Sequence, residues 1–368
     1  MYINQTFMDS CSPIELQFMR TCIDKLIYDK VTTETTNYDN LKDTVYECPH
    51  CHSKNYKKNG FNPKYRQKYR CKDCGAVFMA TTGTFFSHSP AKFLTWVEFM
   101  ACELNGETLE QESLAIEKPV HTCFNMRHKL YSAAGKKLKE ELSGQVELDA
   151  AYTKINLKGT RKEDMPRLSK KRGKHKTCLV NKELSGISHH KVCIVTAIDE
   201  HDNILYKVAG QGSESQATFE QYASYFKKGS TVISDSKPCI LNFDEHHGLI
   251  SEPIPVVGGK QIYTTAKGNS LGDCNELHTE LKNLMRRAHG ISTRHLQGYI
   301  DWLVFKKQLK YMIELKKRRS TTYMGLMRQP SSINAADICK QKMPIDIYRA
   351  YGEYHYGIFS PERLGNYL

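Results

Sequence analysis

Residues 145–155, QVELDAAYTKI, decide the class of fold. Val146, Leu148 and Ala150 alternate with Glu147 and Asp149, which is the period of two that a half-buried strand requires. One face is apolar and the other carries two carboxylates. A carboxylate aimed off the apolar face of a central strand has a purpose or a partner, so Asp149 is a candidate functional residue.

Downstream the pattern changes element by element. HKVCIVTAIDEHDNILYKVAG reads as a hairpin, SQATFEQYASYF as a helix, STVISDS as a strand and NELHTELKNLMRRA as a helix. Strands and helices in that order predict an α/β domain whose sheet is covered by helices. Asp235 ends the TVISD strand, the place where an open α/β sheet puts its ligand-binding groups. An aspartate at a strand end can also be a plain turn or cap residue. Two carboxylates on neighbouring strands repel unless a cation bridges them, so Asp149 and Asp235 together point to Mg²⁺ or Mn²⁺.

Upstream, Cys48–Cys51 and Cys71–Cys74 form two C-x-x-C pairs separated by nineteen residues. That spacing predicts a structural Zn²⁺ on four thiolates, with no position left open for catalysis. The basic, aromatic YKKNGFNPKYRQKYR between them reads as the hairpin of a ribbon. Next, Phe93, Trp96, Val97, Met100 and Leu104 recur at helical spacing up to Gly106. A short helix, a break at Glu117-Lys118-Pro119 and a basic helix with His121, Arg127, His128 and Lys129 then give a helix-turn-helix layout, which places those four residues against DNA. A helical hairpin with a solvated basic face is the alternative.

The 368 residues exceed what one core usually supports, and the net charge of +13 favours a polyanionic partner such as nucleic acid. The opening MYINQTFMDSCSPIELQF lacks the layout of a signal peptide, so thirteen cysteines imply a reducing cytoplasm, with no membrane association expected. Between the Asp149 strand and the hairpin, residues 156–190 are dense in Lys and Arg, including Lys170, Lys171 and Arg172, and read as a basic loop that orders on phosphate backbone. The weak helical pattern of Ile14, Phe18, Cys22 and Leu26, the basic KKQLKYMIELKKRRS and the tyrosine-rich tail carry no readable motif.

The order CPHC, CKDC, RHKL, VELDAAY, KKRGK, KVCIVTAID, ISD and LHTELK…GISTRHLQGYIDWLVF resembles the zinc-ribbon insertion-sequence transposases of the family numbered fifteen ninety-five. The resemblance covers roughly residues 46–307. It implies an RNase H-like catalytic domain, two divalent ions, and metal-dependent cleavage and strand transfer at the terminal inverted repeats of an insertion sequence. It carries the first two catalytic positions onto Asp149 and Asp235. The third is Glu or Asn, followed seven residues on by Lys.

In GDCNELHTELK, residues 272–282, that pattern fits Asn275 with Lys282. Helical geometry puts Asn275, His278, Thr279 and Lys282 on one face, with Leu277, Leu281, Leu284 and Ala288 as the core stripe. An amide oxygen can ligate Mg²⁺ without a charge, and Lys282 can meet a phosphate. Asn275 as a helix N-cap is the bland reading, and Glu276 is the reserve third residue.

The expected organisation is multidomain α/β. Residues 1–45 are an N-terminal segment, 46–84 a zinc ribbon, 85–144 a helix-turn-helix-like DNA-binding region, 145–307 the catalytic domain with a mixed central sheet flanked by helices, and 308–368 a basic helix and tail. The expected partners are double-stranded DNA, as element ends and target, and further copies of the chain in a dimer or larger assembly. Two rivals are a catalytically inactive DNA-binding regulator descended from a transposase and a nuclease that cuts without joining.

Overall fold

The computed structural model describes residues 45, 47–63, 67–84, 86–87, 89, 91, 93–137, 141–159, 187, 191–257, 260–261, 263–314 and 333–346, with residues 12 and 15 singly. The N-terminal helical pattern, most of the basic loop with Lys170, Lys171 and Arg172, and the tyrosine-rich tail lie outside the described residues. The chain divides into two compact units between Phe124 and Asn125.

In the first unit, β1 (Tyr56–Phe61), β2 (Gln67–Cys71) and β3 (Val77–Phe78) form an antiparallel sheet in that order. Its core is Cys48, Tyr69, Cys71 and Phe78, with Tyr56 packed edge-on against both rings. So few apolar side chains do not sustain a fold without a further tie. Helix α1 (Phe93–Asn105) stops at Gly106, whose φ of 76° suits a residue without a Cβ. Trp96 and Phe99 are fully buried, and Trp96 Nε1 donates to Ser89 Oγ at 3.0 Å. Helix α2 (Leu109–Ala115) opens on a reciprocal cap between Thr108 and Gln111. After Pro119 comes α3 (Val120–Lys137), within which the division into units falls.

The second unit is built on a five-stranded mixed sheet. Its strands are β4 (Gln145–Lys154), β5 (Lys191–Asp199), β6 (Ile204–Gln211), β7 (Thr231–Asp235) and β8 (Ile250–Ile254), in the spatial order β6-β5-β4-β7-β8. The first three pair antiparallel, while β7 and β8 run parallel to β4. Val146 and Leu148 of β4, Val195 and Ala197 of β5 and Val232 of β7 face one layer, where they pack with Phe219, Ile240 and Phe243. The latter come from α4 (Gln216–Glu220) and α5 (Pro238–His247).

The opposite layer is α6 (Gly272–Arg287) and α7 (Leu296–Glu314). Gln297 of α7 hooks the edge strand β6 by accepting from Val208 N at 2.8 Å and donating to Tyr206 O at 3.2 Å. That blunts an otherwise open sheet edge. On the other edge, Glu252 of β8 accepts from Thr265 Oγ1 (2.5 Å), Asn269 Nδ2 (2.9 Å) and Lys267 Nζ (3.1 Å), and so pins the loop that leads into α6.

Several expectations change. The helix expected over SQATFEQYASYF is one turn of α-helix followed by a 3₁₀ turn at Ala223–Tyr225, since only Phe219 of α4 is buried in the core. Helix α5 and strand β8 were not anticipated, although Pro238 at the first helical position and Gly248 in the left-handed conformation at the end are ordinary helix signals. The segment KKQLKYMIE is no separate basic helix: α7 runs unbroken from Leu296 to Glu314.

Candidate active site

Leu148 of β4 pairs in parallel register with Ser234 of β7. The next residue on each strand is an aspartate, so Asp149 and Asp235 stand side by side, roughly one strand spacing of ~4.8 Å apart at the backbone. Both project toward the α6 layer, because their strand neighbours Leu148 and Val232 supply the opposite core. Burial pushes the Asp149 carboxyl up to about 6, and the charges of Asp235 and Glu214 push the same way against the backbone N–H of Ala150 and the ammonium of Lys237. The Ala150 N–H donates to Asp149 Oδ1 at 2.8 Å.

Three further side chains complete the cluster, of which sequence reading had placed only His278, on the Asn275 face. Glu214, in the turn between β6 and α4, keeps only 2% of its side chain exposed, and its Oε1 lies 2.6 Å from Lys237 Nζ. Lys237 Nζ is also 3.3 Å from Asp235 Oδ2. Burial alone would lower the Lys237 ammonium, but the hydrogen bond and charge of Glu214, with Asp235 and Asp149, outweigh it and raise the group. His278 of α6 is buried, with Nε2 2.9 Å from Thr196 Oγ1 and Nδ1 3.8 Å from Asp149 Oδ2. Burial, and then the charge of Lys282, hold the imidazole down at about 4, so it is neutral at pH 7.

This corrects the helical face drawn from sequence. Cys274, Leu277, His278 and Leu281 are the buried stripe of α6, and His278 therefore belongs with the core rather than with exposed Asn275, Thr279 and Lys282. The N-cap of α6 is Leu271, and Asn275 N donates to Leu271 O at 3.0 Å, so Asn275 lies inside the helix and does not cap it. A different residue serves the helix start: Glu147 Oε2, from β4, accepts from Cys274 N at 2.9 Å. Glu276 is engaged by Lys307 of α7 at 2.5 Å.

In the first unit, the sulfurs of Cys48, Cys51, Cys71 and Cys74 lie within 4.8 Å of one another, with Cys48–Cys74 and Cys51–Cys71 each at 3.6 Å. Bonds of about 2.3 Å from a tetrahedral Zn²⁺ would set sulfurs about 3.8 Å apart. All four cysteines are free thiols, so the donor set fits the ion. Among the described residues this is the only such group.

Of the four residues of α3 expected to face DNA, only His121 is exposed. Arg127, His128 and Lys129 are buried at 6%, 5% and 8% exposure. The His128 ring lies tilted against His295 with centroids 4.3 Å apart, Tyr131 stacks on Trp302, and the Arg127 guanidinium sits 6.0 Å from the centre of the Tyr299 ring. Their burial is at odds with a DNA-facing role, because α3 turns this part of its surface to α7. Sequence periodicity could not separate a basic face from one whose aliphatic stems and rings are packed.

Residues 141–308 match the ISXO2-like transposase domain, so this part of the chain is similar to that family. A Halobacterium salinarum protein described as an uncharacterized protein in transposable element ISH50 is 32% identical over 126 residues, which are 33% of this chain and 41% of that protein. The chain thus spans about two-fifths of that relative's length. A pre-cleavage Mos1 transpososome structure aligns at 11% identity over 67% of this chain and 81% of that one, with a TM-score of 0.19, too low to carry an argument about fold. No helix among the described residues is long and apolar enough to cross a membrane.

Proposed function

We propose that the protein is a DNA transposase whose RNase H-like domain cleaves the ends of an insertion sequence and joins them to target DNA. The observation that carries this reading is the adjacency of Asp149 and Asp235 at the ends of neighbouring parallel strands in a transposase-family domain. The sheet order, three antiparallel strands followed by two parallel ones, supports the RNase H-like assignment.

Carboxylate oxygens are the hard donors that Mg²⁺ and Mn²⁺ take, and the elevated Asp149 carboxyl marks an anionic, desolvated place that a cation would suit. Asp149 and Asp235 would hold the ions, with the amide oxygen of Asn275 as third donor and Glu276 in reserve. Bound there, the ions supply activation of water or a 3′-OH and stabilisation of the leaving oxygen. Neutral His278, hydrogen-bonded to Thr196, lines the site with Nδ1 3.8 Å from Asp149. Lys282, exposed on the same helix, meets a DNA phosphate as a point charge. The four-cysteine ribbon, with Lys57, Lys58 and Arg70 exposed on its strands, and the basic loop with Lys170, Lys171 and Arg172 would hold the duplex by its backbone. Joining two ends requires at least a dimer.

The test is cleavage and joining of a duplex bearing the element's own end, with Mg²⁺ or Mn²⁺. Asp149→Ala, Asp235→Ala and Asn275→Ala are expected to lose both steps, and Glu276→Ala to keep them. Binding without cleavage by the wild type would overturn the reading in favour of a regulator, and cleavage without joining would favour a nuclease.

A further inference from the structure

Lys237 sits between the two acids that sequence reading found and the one it missed. Its backbone is the N-cap of α5, a fixed point two residues beyond Asp235. Its flexible stem carries the ammonium to 2.6 Å from Glu214 and 3.3 Å from Asp235, with Asp149 within electrostatic reach. Glu214 is almost wholly buried, and an anion so placed is costly unless a counter-charge meets it. The cluster therefore comprises three carboxylates and one ammonium, and within it Asp149 and Asp235 keep 17% and 20% of their side chains exposed.

We infer that Lys237, seated by Glu214, is the resident counter-ion of the Asp149–Asp235 pair, and that a divalent cation taken up by those aspartates must displace it toward Glu214. A lysine suits the task because it is a point charge on four rotatable carbons, able to pivot between two carboxylates with no movement of the backbone. Glu214 is then a positioning residue. It draws the ammonium off Asp235 and lowers the barrier to cation entry, whereas Lys237 raises it.

The inference rests on the metal reading of the Asp149–Asp235 pair, and the experiment separates the two. Mn²⁺ binding to the full-length, zinc-loaded chain is measured by the loss of the free-ion electron paramagnetic resonance signal, with thermal unfolding as a check that each variant is folded. Lys237→Met, which keeps the stem and removes the charge, is expected to bind Mn²⁺ about tenfold more tightly than wild type, the scale of one lost charge contact in a half-buried site. Lys237→Arg should stay close to wild type. Glu214→Gln should bind about tenfold more weakly, because the ammonium then falls wholly to Asp235. The double variant should match Lys237→Met, since Glu214 acts through the lysine. Unchanged or weaker binding by Lys237→Met overturns the inference, and a double variant as weak as Glu214→Gln overturns the seating role and makes Glu214 a ligand. If Asp149→Asn binds Mn²⁺ as the wild type does, the metal reading itself fails and the counter-ion role falls with it.

Discussion

Asp149 shows what a single residue costs its own fold. Its carboxyl ordinarily titrates near 3.8 and is held at about 6 in the folded chain, chiefly by burial. An acid whose folded value is raised favours the protonated form, so the native state binds the extra proton between those two values. Stability from this group is therefore present below pH ~4 and is lost as pH climbs through about 6. At pH 7.5 the penalty is on the order of 3 kcal/mol. Asp149→Asn should remove it, raising the unfolding midpoint by several degrees in metal-free buffer at pH 7.5 while leaving it unchanged at pH 4; a lower midpoint at pH 7.5 would sink the claim. The strand alternation in the sequence already showed Asp149 pointing away from the core. What it could not show was the depth of burial, which depends on α6 and on Glu214, residues 65 or more positions away whose approach no local pattern encodes.

At the scale of elements, the connection that matters most joins β4 to α6. Glu147 leaves the same face of β4 as Asp149 and accepts from the Cys274 N–H in the first turn of α6, where unpaired amides favour an anion. Burial raises the Glu147 carboxyl, against the pull of that hydrogen bond. One strand thus sets both the first catalytic candidate and the position of the helix that carries His278, Asn275 and Lys282. Glu147→Ala should cost about 1 kcal/mol, as loss of a side-chain cap does, and should speed amide hydrogen exchange at residues 272–275 with little change in β5. Glu147→Gln, which keeps an acceptor, should recover most of the protection. Equal exchange in Glu147→Ala and wild type would mean that α6 is seated by its apolar stripe alone.

The strands β4 to β7 and the helix α6 were legible because their period is strong. The buried side of α6 was not, because a histidine at i+4 from Cys274 is ambiguous until its partner Thr196 is known. Glu214 was unreadable for a similar reason: an acid in a Gly/Ser-rich turn looks like a solvated loop residue.

For the whole molecule, the two compact units differ in what holds them together. The sheet of the second unit buries a broad apolar core on Val146, Leu148, Val195, Ala197, Val232, Ile240 and Phe243. The ribbon of the first has Tyr69 and Phe78 with two of its own cysteines, a core too small to persist without the ion that its sulfurs fit. Metal removal should therefore act on one part of the chain. Wild type should carry one Zn²⁺ per chain by elemental analysis, and Cys71→Ser, which replaces a buried ligand in β2, should carry little. Hydrogen exchange should then rise across residues 56–78, while residues 191–199 of the central strand stay protected. If the basic ribbon grips duplex DNA, the same variant should also bind element ends more weakly and with a shallower dependence of affinity on salt, because fewer phosphates are neutralised. If Asp149 and Asp235 hold Mn²⁺ as proposed, its uptake by the same variant should survive. A Cys71→Ser chain that loses protection across both units together would show instead that the four-cysteine cluster underwrites the fold as a whole, and the division of labour between ribbon and central sheet would fall.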